Sequence, residues 1–352
     1  MTTRPTRRRL LLALVLAGLG IGMAPLAARA QSTAAKKASP TRSVLIVANK
    51  ADHTVSLVDP VAGRQIAIVP TGGITGHEVA TSPDGRLAYV PIYGDSGVGL
   101  PGSNGREMAV LDVVSRRVVG HVDFGRGVRP HCAIYDVHRN LLYVTTELDD
   151  SVSIVDPRTL RVVGSIPTGQ PESHMLALSH DGLRGYTANV GPGTVSVLDM
   201  QNRTTVAILP VAPTIQRISI SPDDSMAFTS DQTRPRLAVL DTATHTVRRW
   251  VPLPSPGYGS ASTPDGRWLL VALPASNQVA VIDLHTLRVA HVLDVCASPQ
   301  EILIPSRLPD TAYVSCMAAA SVAVLDLSGW KMQRTIAVGR DADGLAWADL
   351  QK

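Results

Sequence analysis

Short apolar alternations separated by turn residues run along most of the chain. In one stretch, four such segments follow each other at residues 175–178, 185–188, 194–198 and 205–209. Each segment has the length and the period of two that a half-buried β-strand requires, and no helical period of 3.6 residues competes with it. The pattern therefore predicts sheets of four short antiparallel strands.

The four-segment pattern occurs seven times. In each copy the third segment ends on Leu, Ile or Val followed by aspartate, at Asp59, Asp112, Asp156, Asp199, Asp241, Asp283 and Asp326. The spacing is 42 to 44 residues, except for one interval of 53 that indicates a ten-residue insertion in the second copy. Because the aspartate recurs in every copy, we expect it to accept backbone N–H groups in the following turn rather than to bind calcium.

One four-stranded sheet cannot bury both of its faces, so the repeat predicts radial packing of seven sheets. Residues 43–70 supply only the last three strands of a copy, and residues 344–348 supply a single first strand. Joined in one sheet, they would close the ring and remove exposed strand edges. The sequence thus predicts an all-β, seven-bladed β-propeller of four-stranded antiparallel blades with a 1+3 terminal seam, as a single domain over residues 43–352.

The first thirty residues have the pattern of an export signal. Arg4 and the arginines at 7–9 precede an uncharged apolar run at residues 10–26, and Ala28-Arg29-Ala30 supplies small residues for cleavage. The arginines also resemble a twin-arginine signal, so both that route and the Sec route stay open. We expect residues 1–30 to be removed, residues 31–42 to form a flexible tether, and the mature protein to be periplasmic or secreted, without an integral membrane segment.

The net charge changes once the signal is set aside. Of the 33 basic residues, five are arginines of the signal, and the remaining 28 face 29 acidic residues. A nearly neutral mature chain lacks the basic footprint that binding to nucleic acid requires, so no nucleic-acid partner is expected. The chain also has no CxxCH motif for c-type haem and no Walker, Rossmann or GxSxG motif, which excludes the usual nucleotide sites and the serine-hydrolase elbow.

A recurring phrase in the second strands gives a family resemblance. The phrase reads Tyr89-Val-Pro-Ile, Tyr143-Val-Thr-Thr, Tyr186-Thr-Ala-Asn, Tyr313-Val-Ser-Cys and Ile46-Val-Ala-Asn. Placed between SPDG-like turns and VSVxD-like strands, it resembles the YVTN family of β-propeller repeats, including YncE-like periplasmic proteins, over residues 43–350. The resemblance implies the propeller fold but no single activity, since similar propellers serve as enzymes, haem-binding domains and binding proteins.

The three cysteines leave at least one without an intramolecular partner. Alignment of the repeats places Cys296 and Cys316 near the same end of one blade, which makes a disulfide between them a hypothesis; Cys132 would then be the free cysteine.

One repeat position stands out chemically. The residue twelve positions before the first residue of the YVTN phrase, just before the innermost strand, is polar in all seven copies: His77, His131, His174, Gln216, Tyr258, Glu301 and Asp343. Loops at this end of a blade surround the mouth of the central channel, where small-molecule sites often lie. A solvated polar position of the repeat would explain the same pattern, and this alternative stays open.

A functional interpretation assigns the three neighbouring histidines to a metal. Neutral imidazoles of His77, His131 and His174 would bind a divalent ion (Zn, Mn, Cu or Mg), with Gln216, Glu301 or water completing the shell. Tyr258 or Glu301 would then move a proton, as in a lyase or a lactone hydrolase.

Further candidates lie on the same face. Arg129, Arg217 and Arg340 would hold an anionic ligand, and Gln216 and Asp343 are candidate ligand-binding residues of the ring. The inserted loop, Gly94 to Arg106, would overhang the channel as a lid, a rim or a passive insertion. Two functions stay open: a protein that binds a small molecule or a periplasmic partner protein at the channel mouth, and a metal-dependent lyase or lactone hydrolase.

Overall fold

The computed structural model describes residues 42–95 and 97–350. The predicted signal peptide, residues 1–30, and residues 31–41 of the predicted tether lie outside the described residues, whereas the last tether residue, Arg42, is the first residue of a β-strand. Within the described ranges, no helix is long and apolar enough to cross a membrane.

In the described part of the chain, twenty-eight β-strands form seven antiparallel sheets of four strands each. Blade 1 contains β28 (Ala342–Leu350), β1 (Arg42–Asn49), β2 (Thr54–Asp59) and β3 (Arg64–Pro70). Blade 2 contains β4 (Ala80–Thr81), β5 (Leu87–Gly94), β6 (Asn104–Asp112) and β7 (Arg117–Asp123). Blade 3 contains β8 (Pro130–Asp136), β9 (Leu141–Thr146), β10 (Ser151–Asp156) and β11 (Arg161–Pro167). Blade 4 contains β12 (Ser173–Leu178), β13 (Arg184–Asn189), β14 (Thr194–Asp199) and β15 (Thr204–Pro210).

The last three blades follow the same plan. Blade 5 contains β16 (Ser219–Ile220), β17 (Met226–Asp231), β18 (Arg236–Asp241) and β19 (Thr246–Pro252). Blade 6 contains β20 (Ser260–Ser262), β21 (Trp268–Leu273), β22 (Gln278–Asp283) and β23 (Arg288–Asp294). Blade 7 contains β24 (Pro299–Leu303), β25 (Thr311–Cys316), β26 (Ser321–Asp326) and β27 (Lys331–Ala337). Short 3₁₀ turns follow the second strands of blades 1, 3, 6 and 7, at Lys50–Asp52, Glu147–Asp149, Pro274–Ser276 and Met317–Ala319.

The terminal seam confirms the predicted ring closure. In blade 1, β28 pairs antiparallel with β1, so that Leu45 lies opposite Trp347 and Ile46 lies opposite Ala346. The first strands of neighbouring blades contact each other all the way around, including β28 against β4. No first strand therefore presents a free face to solvent, which is the arrangement that a closed propeller requires.

Within a blade, the outermost strand is the most exposed. The third strand β10 is buried at Ser151 to Val155 on both faces, because neighbouring blades pack against each side. The fourth strand β11 is exposed at most positions, and only Ile166 is fully buried there. The hydrophobic core accordingly lies between blades, around the second and third strands.

The aspartates that close the third strands cap the next turn, as predicted. Asp59 accepts the N–H groups of Val61 and Ala62 at 3.0 and 2.9 Å. Asp241 accepts those of Ala243 and Thr244 at 3.1 and 2.8 Å. A carboxylate that caps a hairpin in this way has a structural role.

A disulfide joins the loop before β24 to the last residue of β25 in blade 7. Cys296 and Cys316 are bonded, with their Cα atoms 5.7 Å apart, and Cys132 is buried as a free thiol. The pairing agrees with the expectation from the repeat alignment.

Reduction of this disulfide is expected to lower the free energy of unfolding by about 3 kcal/mol, the value for closing a loop of roughly 20 residues in the unfolded chain. Guanidinium unfolding with and without dithiothreitol measures the loss. A Cys296→Ala/Cys316→Ala double variant is the control, because dithiothreitol should not shift its midpoint. An equal midpoint for the oxidised and reduced wild type would contradict the expectation.

Candidate functional site

The seven polar residues of the repeat position meet at one end of the innermost strands. His131, His174, Glu301 and Asp343 lie in the first residues of β8, β12, β24 and β28, whereas His77, Gln216 and Tyr258 lie just before β4, β16 and β20. His131, His174 and Asp343 are buried, and the other four are half-buried. The predicted ring therefore exists as a set of side chains from all seven blades, and it divides into a histidine half and an ionic half.

The three histidines contact each other through their rings. The ring centroids of His77 and His131 are 5.0 Å apart, and those of His131 and His174 are 3.5 Å apart. The ring of Tyr93, from β5, packs edge-on against His131 and His174 at 5.5 and 5.9 Å. On the far side, the Gln216 amide lies 3.3 Å from Nε2 of His174. Three adjacent blades thus place three imidazoles in one contact cluster.

Burial keeps these imidazoles neutral. Desolvation lowers the pKa of His77 to about 3, although Asp343 at 3.6 Å works in the opposite direction. Burial also lowers the pKa of His131 well below its ordinary value, and that of His174 falls despite the neighbouring Glu147 carboxylate. A neutral imidazole is the form that binds a metal ion.

Two of the histidines carry a buried nitrogen without a hydrogen bond. Nδ1 of His131 has no partner, and Nδ1 of His174 lies 3.7 Å from Glu147, beyond hydrogen-bond distance. A buried polar atom without a partner costs about 1–3 kcal/mol. As they stand, however, no three His, Cys, Asp or Glu side chains in residues 42–95 and 97–350 are arranged to hold a metal ion.

Arg217 forms the centre of the ionic half. Its guanidinium is 4% exposed and bonds Asp343 at 2.8 Å and Glu78 at 2.7 Å. Lys50 also reaches Asp343, at 3.1 Å, and the Arg217 guanidinium lies over the ring of Tyr258 at 4.9 Å. Burial alone would raise the pKa of Asp343, but Arg217 and Lys50 outweigh it and hold that pKa below its ordinary value.

Two carboxyl groups beside Arg217 share a hydrogen bond. Burial raises the pKa of Glu78 well above its ordinary value and also raises that of Glu301, and the two side chains hydrogen-bond to each other. Glu301 additionally accepts the backbone N–H of Leu345 at 2.6 Å. We assign the proton to Glu78, because Glu301 already accepts a backbone donor. The pair is thus a protonated carboxyl donating to a carboxylate.

The inserted loop is bonded to the channel side chains through Arg129. This arginine is 4% exposed and donates to Asn104 at 2.7 Å, to the Leu100 carbonyl at 2.6 Å and to Glu147 at 3.2 Å. Glu147 in turn accepts a hydrogen bond from the Tyr93 hydroxyl. The loop therefore forms a fixed rim rather than a passive insertion.

The three candidate arginines differ in their surroundings. Arg129 and Arg217 are buried and already bonded to protein carboxylates and carbonyls. The Arg340 side chain is 73% exposed and bonds Asp52 at 2.7 Å, outside the cluster. Arg217 thus bonds the predicted ring directly, Arg129 reaches the histidines through Glu147 and Tyr93, and Arg340 lies outside the cluster.

Sequence reasoning missed four residues of the cluster: Lys50, Glu78, Tyr93 and Glu147. Three of them directly follow the YVTN phrase, where the chain leaves the second strand towards the channel. A comparison of that repeat position would have found Lys50, Tyr93 and Glu147. Glu78 follows His77 and has no such signal of its own.

Comparisons with known proteins identify the fold. No family model matches the chain, and no curated protein matches it. Among solved structures, Kuenenia stuttgartiensis hydrazine synthase is similar with a TM-score of 0.65 and 18% identity, over 76% of this chain and 88% of that one. Dihydro-heme d1 dehydrogenase NirN in complex with DHE is similar with a TM-score of 0.64 and 16% identity, over 90% of this chain and 76% of that one. At these identities the likeness shows the β-propeller fold alone.

Proposed function

We propose that the chain is an exported YVTN-type β-propeller that binds a small ligand at the mouth of its channel through a divalent metal ion held by His77, His131 and His174. The observation that carries the proposal is the pair of buried Nδ1 atoms, on His131 and His174, without hydrogen bonds. Coordination would give these rings the partner that the surrounding protein does not provide. The YVTN phrases and the signal pattern of residues 1–30 support the family and the exported location.

The donor set favours a transition metal. Imidazole nitrogens suit Zn, Cu and Ni better than Mg or Ca, and three protein ligands leave a position for a ligand atom. Coordination requires the imidazoles to turn about their side-chain torsions, because the His131 and His174 rings pack within 3.5 Å of each other. Glu147 lies 3.7 Å from Nδ1 of His174, so its carboxylate is beside the nitrogen that the proposal assigns to the metal.

Metal binding is testable on the purified protein. After EDTA treatment, we expect calorimetric titration with Zn²⁺ to show one equivalent bound, and a hundredfold excess over the Kd to raise the stability by about 2.7 kcal/mol. His131→Ala should abolish both effects. The matched control is His285→Ala, at an exposed histidine in a turn, which should bind like the wild type. Undiminished binding by His131→Ala would refute the histidine site.

A metal-dependent lyase or lactone hydrolase is the second candidate, and the Glu78–Glu301 pair favours it. A carboxyl group whose pKa burial raises well above its ordinary value can act as a general acid, and its partner carboxylate can act as a base. Tyr258 lies beside the same arginine and is half-buried. In this function, Glu301→Gln would abolish lactone turnover while Zn²⁺ binding persists. Absence of turnover by the metal-loaded wild type would leave only the binding function.

A further inference from the structure

A groove lies under the inserted loop, beside the histidine cluster. Its volume is about 390 Å³, and it lies between the inserted loop, the turn after β9 and the loop before β12. This volume is sufficient for a small organic molecule.

One side of the groove is apolar. Leu100 and Pro101 of the inserted loop and Leu148 of the turn after β9 line it, and Leu100 and Leu148 are 61% and 42% exposed. Exposed leucines facing one small concave surface favour a ligand with an apolar body.

The charged lining is acidic. Arg129 and Glu147 form a buried pair 3.2 Å apart at the groove and cancel each other. Glu172 and Asp150 remain, and neither side chain has a hydrogen bond or an ion pair with any residue in the described ranges. The groove therefore carries a net charge of about −2 without an internal counter-charge, from two carboxylates near an apolar wall.

The Glu172 carboxylate is closely confined by two loops. A Cβ atom on Gly99 or on Gly191 would come within 2.6 Å of one of its oxygens. The half-buried carboxylate therefore lies between the inserted loop and the loop after β13, at the wall of the groove.

We infer that this groove binds a small organic cation, an amine with a short apolar body, whose ammonium group pairs with Glu172 and Asp150 and whose body packs on Leu100 and Leu148. The charge complementarity and the apolar wall both support this occupant. The inference goes beyond the proposed metal site, because it needs no metal, although Glu147 borders both.

Calorimetric titration with benzylamine in EDTA tests the inference. We expect a Kd on the order of 1 mM or lower, and at least tenfold weaker binding of benzyl alcohol, which has the same body without the charge. Glu172→Gln should weaken benzylamine binding at least tenfold. The matched control is Asp310→Asn, an exposed carboxylate in the turn between β24 and β25, which should leave the Kd unchanged.

The variants separate this inference from the metal site. His131→Ala should bind benzylamine like the wild type even where it has lost Zn²⁺ binding. The inference is overturned if benzyl alcohol binds as tightly as benzylamine, or if Glu172→Gln retains the wild-type Kd. Asp150→Asn gives a second measurement on the other carboxylate if Glu172→Gln does not fold.

Discussion

Replacement of Arg217 by methionine is expected to lower the free energy of unfolding by about 3–5 kcal/mol, because it leaves Asp343 and the Glu78–Glu301 pair without their shared cation. The guanidinium is 4% exposed and joins blade 5 to blades 1 and 2 across the ring. Methionine fills a similar volume, so the loss of stability measures the effect of the missing charge rather than that of a cavity. Urea unfolding followed by circular dichroism measures it.

An exposed ion pair provides the matched control. The Arg158 side chain is 78% exposed beside Asp156, so Arg158→Met should leave the urea midpoint nearly unchanged. An Arg217→Met/Glu301→Gln double variant should recover part of the loss, since it removes the carboxylate charge of the Glu78–Glu301 pair, whereas Asp343 keeps Lys50 as its partner. A loss below about 1 kcal/mol for Arg217→Met, or a double variant less stable than the single one, would contradict the role assigned to Arg217.

Acidification from pH 7 to pH 5 is expected to remove about 2 kcal/mol of the stability contributed by His77 alone. Its pKa falls from 6.5 to about 3 on folding, through burial. A histidine with a depressed pKa stabilises the protein fully above pH 6.5 and loses that contribution as the pH falls towards 3, because the unfolded chain takes up the proton first. His131 and His174 act in the same direction.

The carboxyl pair acts in the opposite direction. The raised pKa of Glu78 contributes stability below its ordinary value of 4.5, and that stability is lost as the pH rises. The pH dependence of wild-type stability therefore combines two opposite contributions, from the histidines and from the carboxyl pair. A variant at His77 isolates the histidine contribution. We therefore compare the free energies of unfolding of His77→Gln and the wild type. Their difference should shift by about 2 kcal/mol in favour of the variant between pH 7 and pH 5. His285→Gln, at an exposed turn position, should follow the wild type. An unchanged difference between wild type and His77→Gln at both pH values would show that His77 does not titrate as inferred.

The fold was predictable because the repeat constrains every blade in the same way. Seven aspartates at nearly constant spacing determine where each third strand ends, and the missing strand at one terminus matches the extra strand at the other. The repeat also located the ring position, because residues at equivalent places in a closed propeller meet at one end of the channel. The structure confirms the seven blades and brings the polar position together.

The charge pairs of the site were harder to predict. Glu78 and Arg217 occupy the next repeat position, where the other blades carry Cys132, Met175, Gly259, Ile302 and Gly344. A charge at such a position is informative only when its partner is known. Here the partners belong to blades 2 and 5, which no local pattern relates to each other. Contacts between blades also decide whether a polar side chain facing the channel forms its hydrogen bonds with the protein or with a ligand.

The seam in blade 1 also determines the order of assembly. β28 is the innermost strand of a sheet whose other three strands are made first, and it carries Asp343, which bonds both Lys50 and Arg217. During synthesis, blades 2 to 7 can form from neighbouring segments, but blade 1 waits for β28 to pair across the whole sequence. Until then Lys50 and Arg217 lack a shared carboxylate. Pairing of β28 with β1 thus closes the ring of blades and, in the same step, supplies the carboxylate that bonds Lys50 and Arg217.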